Sequence, residues 1–302
     1  MARIGRVSGV FESVGTKLKK VVKDHDLDID MAAGRILAEG VLRYWPEGMG
    51  PAPILLKGGE LFDQRVRETQ DADIVTIRHY LPHEFANGIR RIAPLLEREG
   101  IRILTFSGMP KEIDVGYGEP VQRWIIRGTV GGVRANTNID MTVARGPQAL
   151  SRAIEVAEIP SLIDVLPPLT IAVQPLEAAA AEKLLAVALQ SENDFRVRHL
   201  ADVINEDLWD GVDCAAVARE MIRVCEHRGI DIDTLPETIQ WPAISRLEAS
   251  WEKHRAAGKT DLSIFSAWTD VAYLWGEVQD EMNLRCRPFV VQREPSNARM
   301  SA

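Results

Sequence analysis

The feature that most constrains this chain is Lys57-Gly58-Gly59, set directly behind the apolar run Ile54-Leu55-Leu56 and followed by Asp71-Ala72-Asp73. The apolar run reads as a strand. A glycine pair at its end predicts a tight turn whose backbone N–H groups can face an anion. Along a strand residues i and i+2 share a face, so Asp71 and Asp73 project together. Paired carboxylate oxygens beside such a turn suit Mg²⁺ carrying a nucleoside triphosphate. The bland counterpart is a surface turn followed by an edge strand with solvated acids, and the rest of the chain has to choose between them.

The chain has 302 residues, enough for about two domains, and its 46% apolar and 26% charged content is that of an ordinary globular protein. No apolar run reaches bilayer length and the N-terminus lacks the apolar core of a secretory signal, so a cytoplasmic location is expected. Cys214, Cys225 and Cys286 are scattered, which speaks against a cysteine-ligated zinc site and predicts reduced, buried thiols. The net charge of −8 argues against extended binding along nucleic acid. Charge is uneven, however: Arg3, Arg6, Lys17, Lys19, Lys20 and Lys23 face only Glu12 in the leader. Such a basic helix either touches an RNA backbone or an acidic partner, or is a solvated face.

Periodicity predicts helices over 9–23 and 29–45, a loop from Pro46 to Pro53, a strand over 54–57 and a short helix over Glu60–Val66. A strand over 72–78, an amphipathic helix over 82–99 and strands over 101–106, 122–129 and 134–143 follow, with glycine turns at Gly116–Gly118 and Gly131-Gly132. The second of these turns reads as a hairpin. The proline-rich stretch from Pro160 to Pro175 marks a domain junction. Beyond it helices are expected over 176–191, 194–208, 212–229, 242–257 and 261–283, with a frayed tail after Pro288. Trp241, Trp251, Trp268 and Trp275 are expected as packing anchors of these helices. The reading is an α+β protein: a mixed-sheet domain over 1–160 with N-terminal helices, then a helical domain over 161–302.

Further residues extend the acidic pair. Asp140, in the strand-like Asn138-Ile139-Asp140-Met141-Thr142, would complete a three-acid cluster if its strand lay beside that of Asp71 and Asp73. Such a cluster can hold two Mg²⁺ ions, with the third acid as general base. Lys183, on an otherwise apolar helix, either snorkels to water or serves a buried anion. Arg198 and Asp202, four apart, either form an ordinary helical ion pair or line a cleft where Arg198 meets phosphate.

The order Leu56-Lys57-Gly58-Gly59, Arg67, Thr69, Asp71-Ala72-Asp73, Asp140, Ala181-Glu182-Lys183-Leu184 and Arg198-His199-Leu200-Ala201-Asp202 resembles the AbiEii/AbiGii toxin-like nucleotidyltransferases, the MenT toxins among them. The glycine pair and the D-x-D motif are shared by the whole DNA-polymerase-β-like superfamily, and the two later motifs point to this branch. The resemblance implies a nucleotidyltransferase fold with a helical lobe, Mg²⁺-dependent transfer from an NTP, an antitoxin partner and commonly a tRNA acceptor. By position it implies that Asp71, Asp73 and Asp140 hold metal and that Gly58 and Gly59 cradle phosphate. Lys57, Arg67, Thr69 and Arg198 fall on the substrate side, Lys183 would bind the triphosphate, and Asp202 would be the acid the helical lobe supplies. His199 departs from the family, where many relatives carry Asp. A protein or small-molecule acceptor, and an inactive NTP-binding or partner-binding module, are the alternatives.

Overall fold

In a computed structural model the described residues are 2–113, 121–143, 155–189, 196–256 and 259–286. The expected Gly116–Gly118 turn and the tail after Pro288 lie outside them. The chain forms two compact units, Met1–Ala179 with His227–Gly229, and the remainder from Ala180. The division follows Ala179, whereas the sequence reading places the junction at residue 160. The intervening segment returns to the sheet as a strand.

The first unit is built on an eight-stranded mixed sheet. Its strands are β1 (Leu55–Lys57), β2 (Ala72–Thr76), β3 (Ile101–Phe106), β4 (Lys111–Ile113), β5 (Val121–Val130), β6 (Val133–Val143), β7 (Glu155–Ile159) and β8 (Leu169–Val173). Their order is β3-β5-β6-β2-β1-β8-β7, with β4 also pairing on β5. Strand β2 runs antiparallel to β1 and parallel to β6. The β5–β6 hairpin closes through Gly131 and Gly132, both at positive φ (56° and 84°), as a two-residue turn of a twisted hairpin requires.

Helices α1 (Ala2–Asp24), α2 (Ile29–Arg43), α3 (Trp45–Met49) and α4 (Pro82–Arg98) complete this unit's helical layer. Helix α2 starts where the Asp28 carboxylate accepts from the N–H groups of Asp30 and Met31 at 2.8 and 3.0 Å. Its stretch from Ala32 to Leu42 is buried throughout, so it is a core helix rather than a surface one. The expected loop after Pro46 begins instead as α3, because proline fits a first helical turn, where its missing N–H costs nothing. Phe85 of α4 stacks on Trp124 of β5, with ring centroids 4.0 Å apart.

The second unit contains α5 (Leu176–Leu189, which starts just before the division), α6 (Arg196–Val203), α7 (Cys214–Arg228), α8 (Trp241–Ser245), α9 (Glu248–Ala256) and α10 (Ile264–Cys286). The single helices expected over 194–208 and 242–257 are each broken, the first into α6 and a 3₁₀ turn at Glu206–Leu208, the second into α8 and α9. Trp251 and Trp275 are fully buried in this unit's own core, their indole N–H groups donating to the carbonyls of Leu262 and Pro236. Among the described residues no helix is long and apolar enough to cross a membrane.

Candidate active site

Strand alternation divides the residues of β2 cleanly. Ala72, Ile74 and Thr76 are buried in the core, and the side chains between them face the other way. Registers then carry one row across four strands: Arg123 of β5 opposes Asp140 of β6, Asp140 opposes Asp73 of β2, and Asp73 opposes Lys57 of β1. Directly opposed residues share a face, so two acids lie side by side with a cation at each end. Asp71, just ahead of β2, is held by Asn138, whose backbone N–H and side-chain Nδ2 both donate to its carboxylate at 3.1 Å. The structure therefore brings Asp71, Asp73 and Asp140 to neighbouring positions of one sheet face.

The glycine turn is pressed against these acids. Gly58 has φ +77°, and a Cβ there would stand 2.3 Å from Asp73 Oδ2. At Gly59 a Cβ would meet the Arg67 guanidinium at 2.1 Å and the Thr69 side chain at 3.2 Å. Only glycines let the backbone approach both groups so closely. Lys57, Gly58, Gly59, Arg67 and Thr69 are thus gathered around the β1–β2 connection. Where a longer helix was expected over Glu60–Val66, the chain makes a 3₁₀ turn at Gly58–Leu61.

Three residues of this region escaped the sequence reading. Arg123 grips Asp140 with its fork, Nε to Oδ1 at 2.8 Å and Nη2 to Oδ2 at 2.6 Å. Its pKa is pushed up, first by that hydrogen bond, against a burial cost, and further by the charges of Asp140, Asp71 and Asp73. Asn138 orients Asp71. Glu60, 1% exposed, has neither carboxylate oxygen hydrogen-bonded, and burial pushes its pKa well above the ordinary value. Arg35 opposes that shift, while Glu39, Asp73 and Asp71 add to it.

In the helical unit, Lys183 of α5 and Asp202 of α6 are 7% and 6% exposed and meet at 2.5 Å, Nζ to Oδ2. Lys183 is therefore buried beside a carboxylate rather than extended into water. The Asp202 backbone is fixed as well, its carbonyl accepting from Trp209 Nε1 at 2.8 Å. Arg198 sits exposed on α6 and His199 is half-buried there.

Among the described residues no group of three or more His, Cys, Asp or Glu is arranged to hold a metal ion. Mg²⁺, however, is ordinarily held by one or two carboxylates together with substrate phosphates. Asp71 and Asp73, hard oxygen donors beside a glycine turn, fit that requirement.

Acids on adjacent strands of a mixed sheet next to a glycine turn are the arrangement the sequence reading expects of a nucleotidyltransferase. The family model described as nucleotidyl transferase AbiEii toxin, type IV toxin–antitoxin system, matches residues 52–268, and the chain belongs to that family. It is a nucleotidyltransferase. Comparison with curated proteins finds no match. Among solved structures, a protein described as a nucleotidyltransferase from H. pylori is similar over 84% of this chain and 97% of its own, at 12% identity and a TM-score of 0.40. JHP933 from Helicobacter pylori is similar over 83% of this chain and 92% of its own, at 12% identity and a TM-score of 0.37.

Proposed function

We propose that the chain transfers a nucleotide from an NTP to a hydroxyl of an RNA acceptor, tRNA by family precedent, with Mg²⁺ as cofactor and a cognate antitoxin as partner. The observation that carries this reading is the close approach of the Gly58 backbone to Asp73, where a Cβ would stand 2.3 Å from the carboxylate, so that the glycine turn and an acid of the sheet meet at one place. When bound, Mg²⁺ polarises the phosphoryl oxygens. Asp71 and Asp73 would hold it, Asp71 with its carboxylate aimed by Asn138. Gly58 and Gly59 admit the triphosphate close to the main chain, with Lys57 and Arg67 supplying positive charge near the turn. The acceptor hydroxyl gives its proton to a carboxylate, Asp140 in the sequence reading, as its oxygen attacks the α-phosphorus in line; the bond to the leaving oxygen breaks and pyrophosphate departs, with Lys183 assigned to the charge developing there. Asp202 is assigned the role of the acid the reaction needs from the helical unit.

The test is incubation with each α-labelled NTP and Mg²⁺, with total RNA in one series and protein extract in another. Label is expected on a tRNA-sized band and absent with Asp73→Ala. Label on polypeptide or small molecule alone would reject the RNA acceptor while keeping the chemistry. The net charge of −8 favours that second outcome to the extent that it disfavours a large RNA footprint.

A further inference from the structure

We infer that Arg35, on the core helix α2, is the positioning residue of the glycine turn: its guanidinium holds the backbone behind Gly58-Gly59 in the shape that admits a triphosphate. The inference rests on the proposed NTP site and adds to it a residue from outside the sheet.

The turn cannot hold its own shape well. Its 3₁₀ segment, Gly58–Leu61, has no side-chain cap at its start, and at its end the Phe62 N–H donates to the Gly59 carbonyl at 3.3 Å. Short 3₁₀ segments have poor hydrogen-bond geometry, and the last carbonyls of a helix lack a donor of their own. Arg35 supplies donors from outside, Nη1 to the Phe62 carbonyl at 2.7 Å and Nη2 to the Glu60 carbonyl at 3.1 Å. Its Nε donates to Glu39 Oε1 at 2.8 Å, one turn further along α2. Arg35 is 2% exposed, so bulk water cannot replace these bonds. A planar guanidinium fixed on three sides leaves the two carbonyls one arrangement. Glu60 is held by its main chain alone, since neither carboxylate oxygen is hydrogen-bonded.

What Arg35 holds is the segment that the proposed reaction uses. Gly58 at φ +77° backs onto Asp73, and Gly59 closes against Arg67 and Thr69, with Glu60 the very next residue. A shift of the Glu60 carbonyl is therefore passed directly to the glycine pair. Helix α2 braces the other end of the same connection. The Asp28 N–H donates to Glu68 Oε1 at 2.6 Å, and a Cβ at Gly34 would stand 2.7 Å from Gln70 Cβ, next to Asp71. The helix thus grips the connection between Lys57 and Asp71 at both ends, with Arg35 at the end nearer the glycines. Arg35 is too deeply buried to meet a phosphate itself, so it acts through the turn.

Isothermal titration calorimetry of the full chain with each of the four NTPs and Mg²⁺, at a temperature where thermal melts show every variant folded, separates positioning from stability. Arg35→Lys keeps a buried cation but not the planar fork, and should weaken NTP binding about tenfold. Glu39→Gln leaves the bonds to both carbonyls in place, and should melt lower yet bind NTP within about twofold of the native chain. Arg35→Met with Glu39→Leu removes the ion pair as a neutral unit. It should melt above Arg35→Met alone, while its NTP affinity stays about tenfold down, as a merely architectural arginine would not require. Gly58→Ala is the reference for a disturbed turn, and should weaken NTP binding too. If Gly58→Ala lost affinity while Arg35→Lys, or the double variant, bound NTP like the native chain, the inference would be overturned and the NTP site would stand. A native chain that bound none of the four NTPs, or a Gly58→Ala variant that bound them normally, would remove the proposed site itself and the inference with it.

Discussion

Gly58 and Gly211 share a φ of +77° but not their surroundings: a Cβ at Gly58 would collide with Asp73 Oδ2, whereas nothing lies within 4 Å of one at Gly211. Alanine at either position takes on the left-handed strain, of order 1–2 kcal/mol. Both variants should therefore lose a few degrees of thermal stability, at about 2–4 °C for each kcal/mol. Only Gly58→Ala should also displace the Asp73 carboxylate, so Mn²⁺ affinity should fall with Gly58→Ala and stay unchanged with Gly211→Ala. Glu60 gives a pH-dependent counterpart. Its folded pKa is raised above the unfolded value, so between the two the folded state binds more protons and stability falls as pH rises. Glu60→Gln removes the buried charge, and should flatten this slope and raise the melting temperature at pH 8 more than at pH 5. An unchanged slope between those two pH values would mean that Glu60 is not the group responsible.

At the scale of elements, packing and propensity make opposite predictions for Gly34 of α2. Alanine is the better helix former by up to ~1 kcal/mol. Yet a Cβ at Gly34 would lie 2.5 Å from the Asn136 carbonyl oxygen of β6 and 2.7 Å from Gln70 Cβ. Overpacking of that kind costs about 1–3 kcal/mol, so Gly34→Ala should melt lower than the native chain. Gly9→Ala, on an open face of α1, should melt slightly higher. What the sequence makes legible follows the same division between local pattern and tertiary context. The helices α2 and α4 and the β5–β6 hairpin declare themselves through period and glycine turn. Strands β7 and β8 do not: β7 ends just ahead of Pro160, and Pro160, Pro167, Pro168 and Pro175 punctuate the run that holds β8, which reads as a linker. The prolines stand outside the ladder at strand ends, where no N–H is needed. Arg123 was within reach of sequence reasoning. Once Gly131-Gly132 is a two-residue turn, Val130 opposes Val133, and counting outward sets Arg123 against Asp140. Asn138 and Glu60 were not, since no local pattern reports which acid a neighbouring strand will orient or bury.

At the scale of the whole molecule, each unit has a hydrophobic core of its own, and the Lys183–Asp202 pair belongs to that of the helices. This complicates any reading of single substitutions there. Removing one partner of a buried ion pair leaves the other uncompensated and costs about 3–5 kcal/mol, whereas replacing both with apolar residues of similar size is often neutral. Lys183→Met or Asp202→Leu would therefore abolish activity even if the pair had no part in chemistry, simply by loosening α5 against α6. The double variant separates the two roles. With Lys183→Met and Asp202→Leu together, the melting temperature should return toward that of the native chain, because the two charges are removed as a neutral unit. Transfer of label from an α-labelled NTP should nevertheless stay absent, because the proposed reaction uses both the Lys183 ammonium and the Asp202 carboxylate. A double variant that melts normally and transfers label at the native rate would reduce the pair to architecture and leave the chemistry to the sheet-bound residues of the first unit.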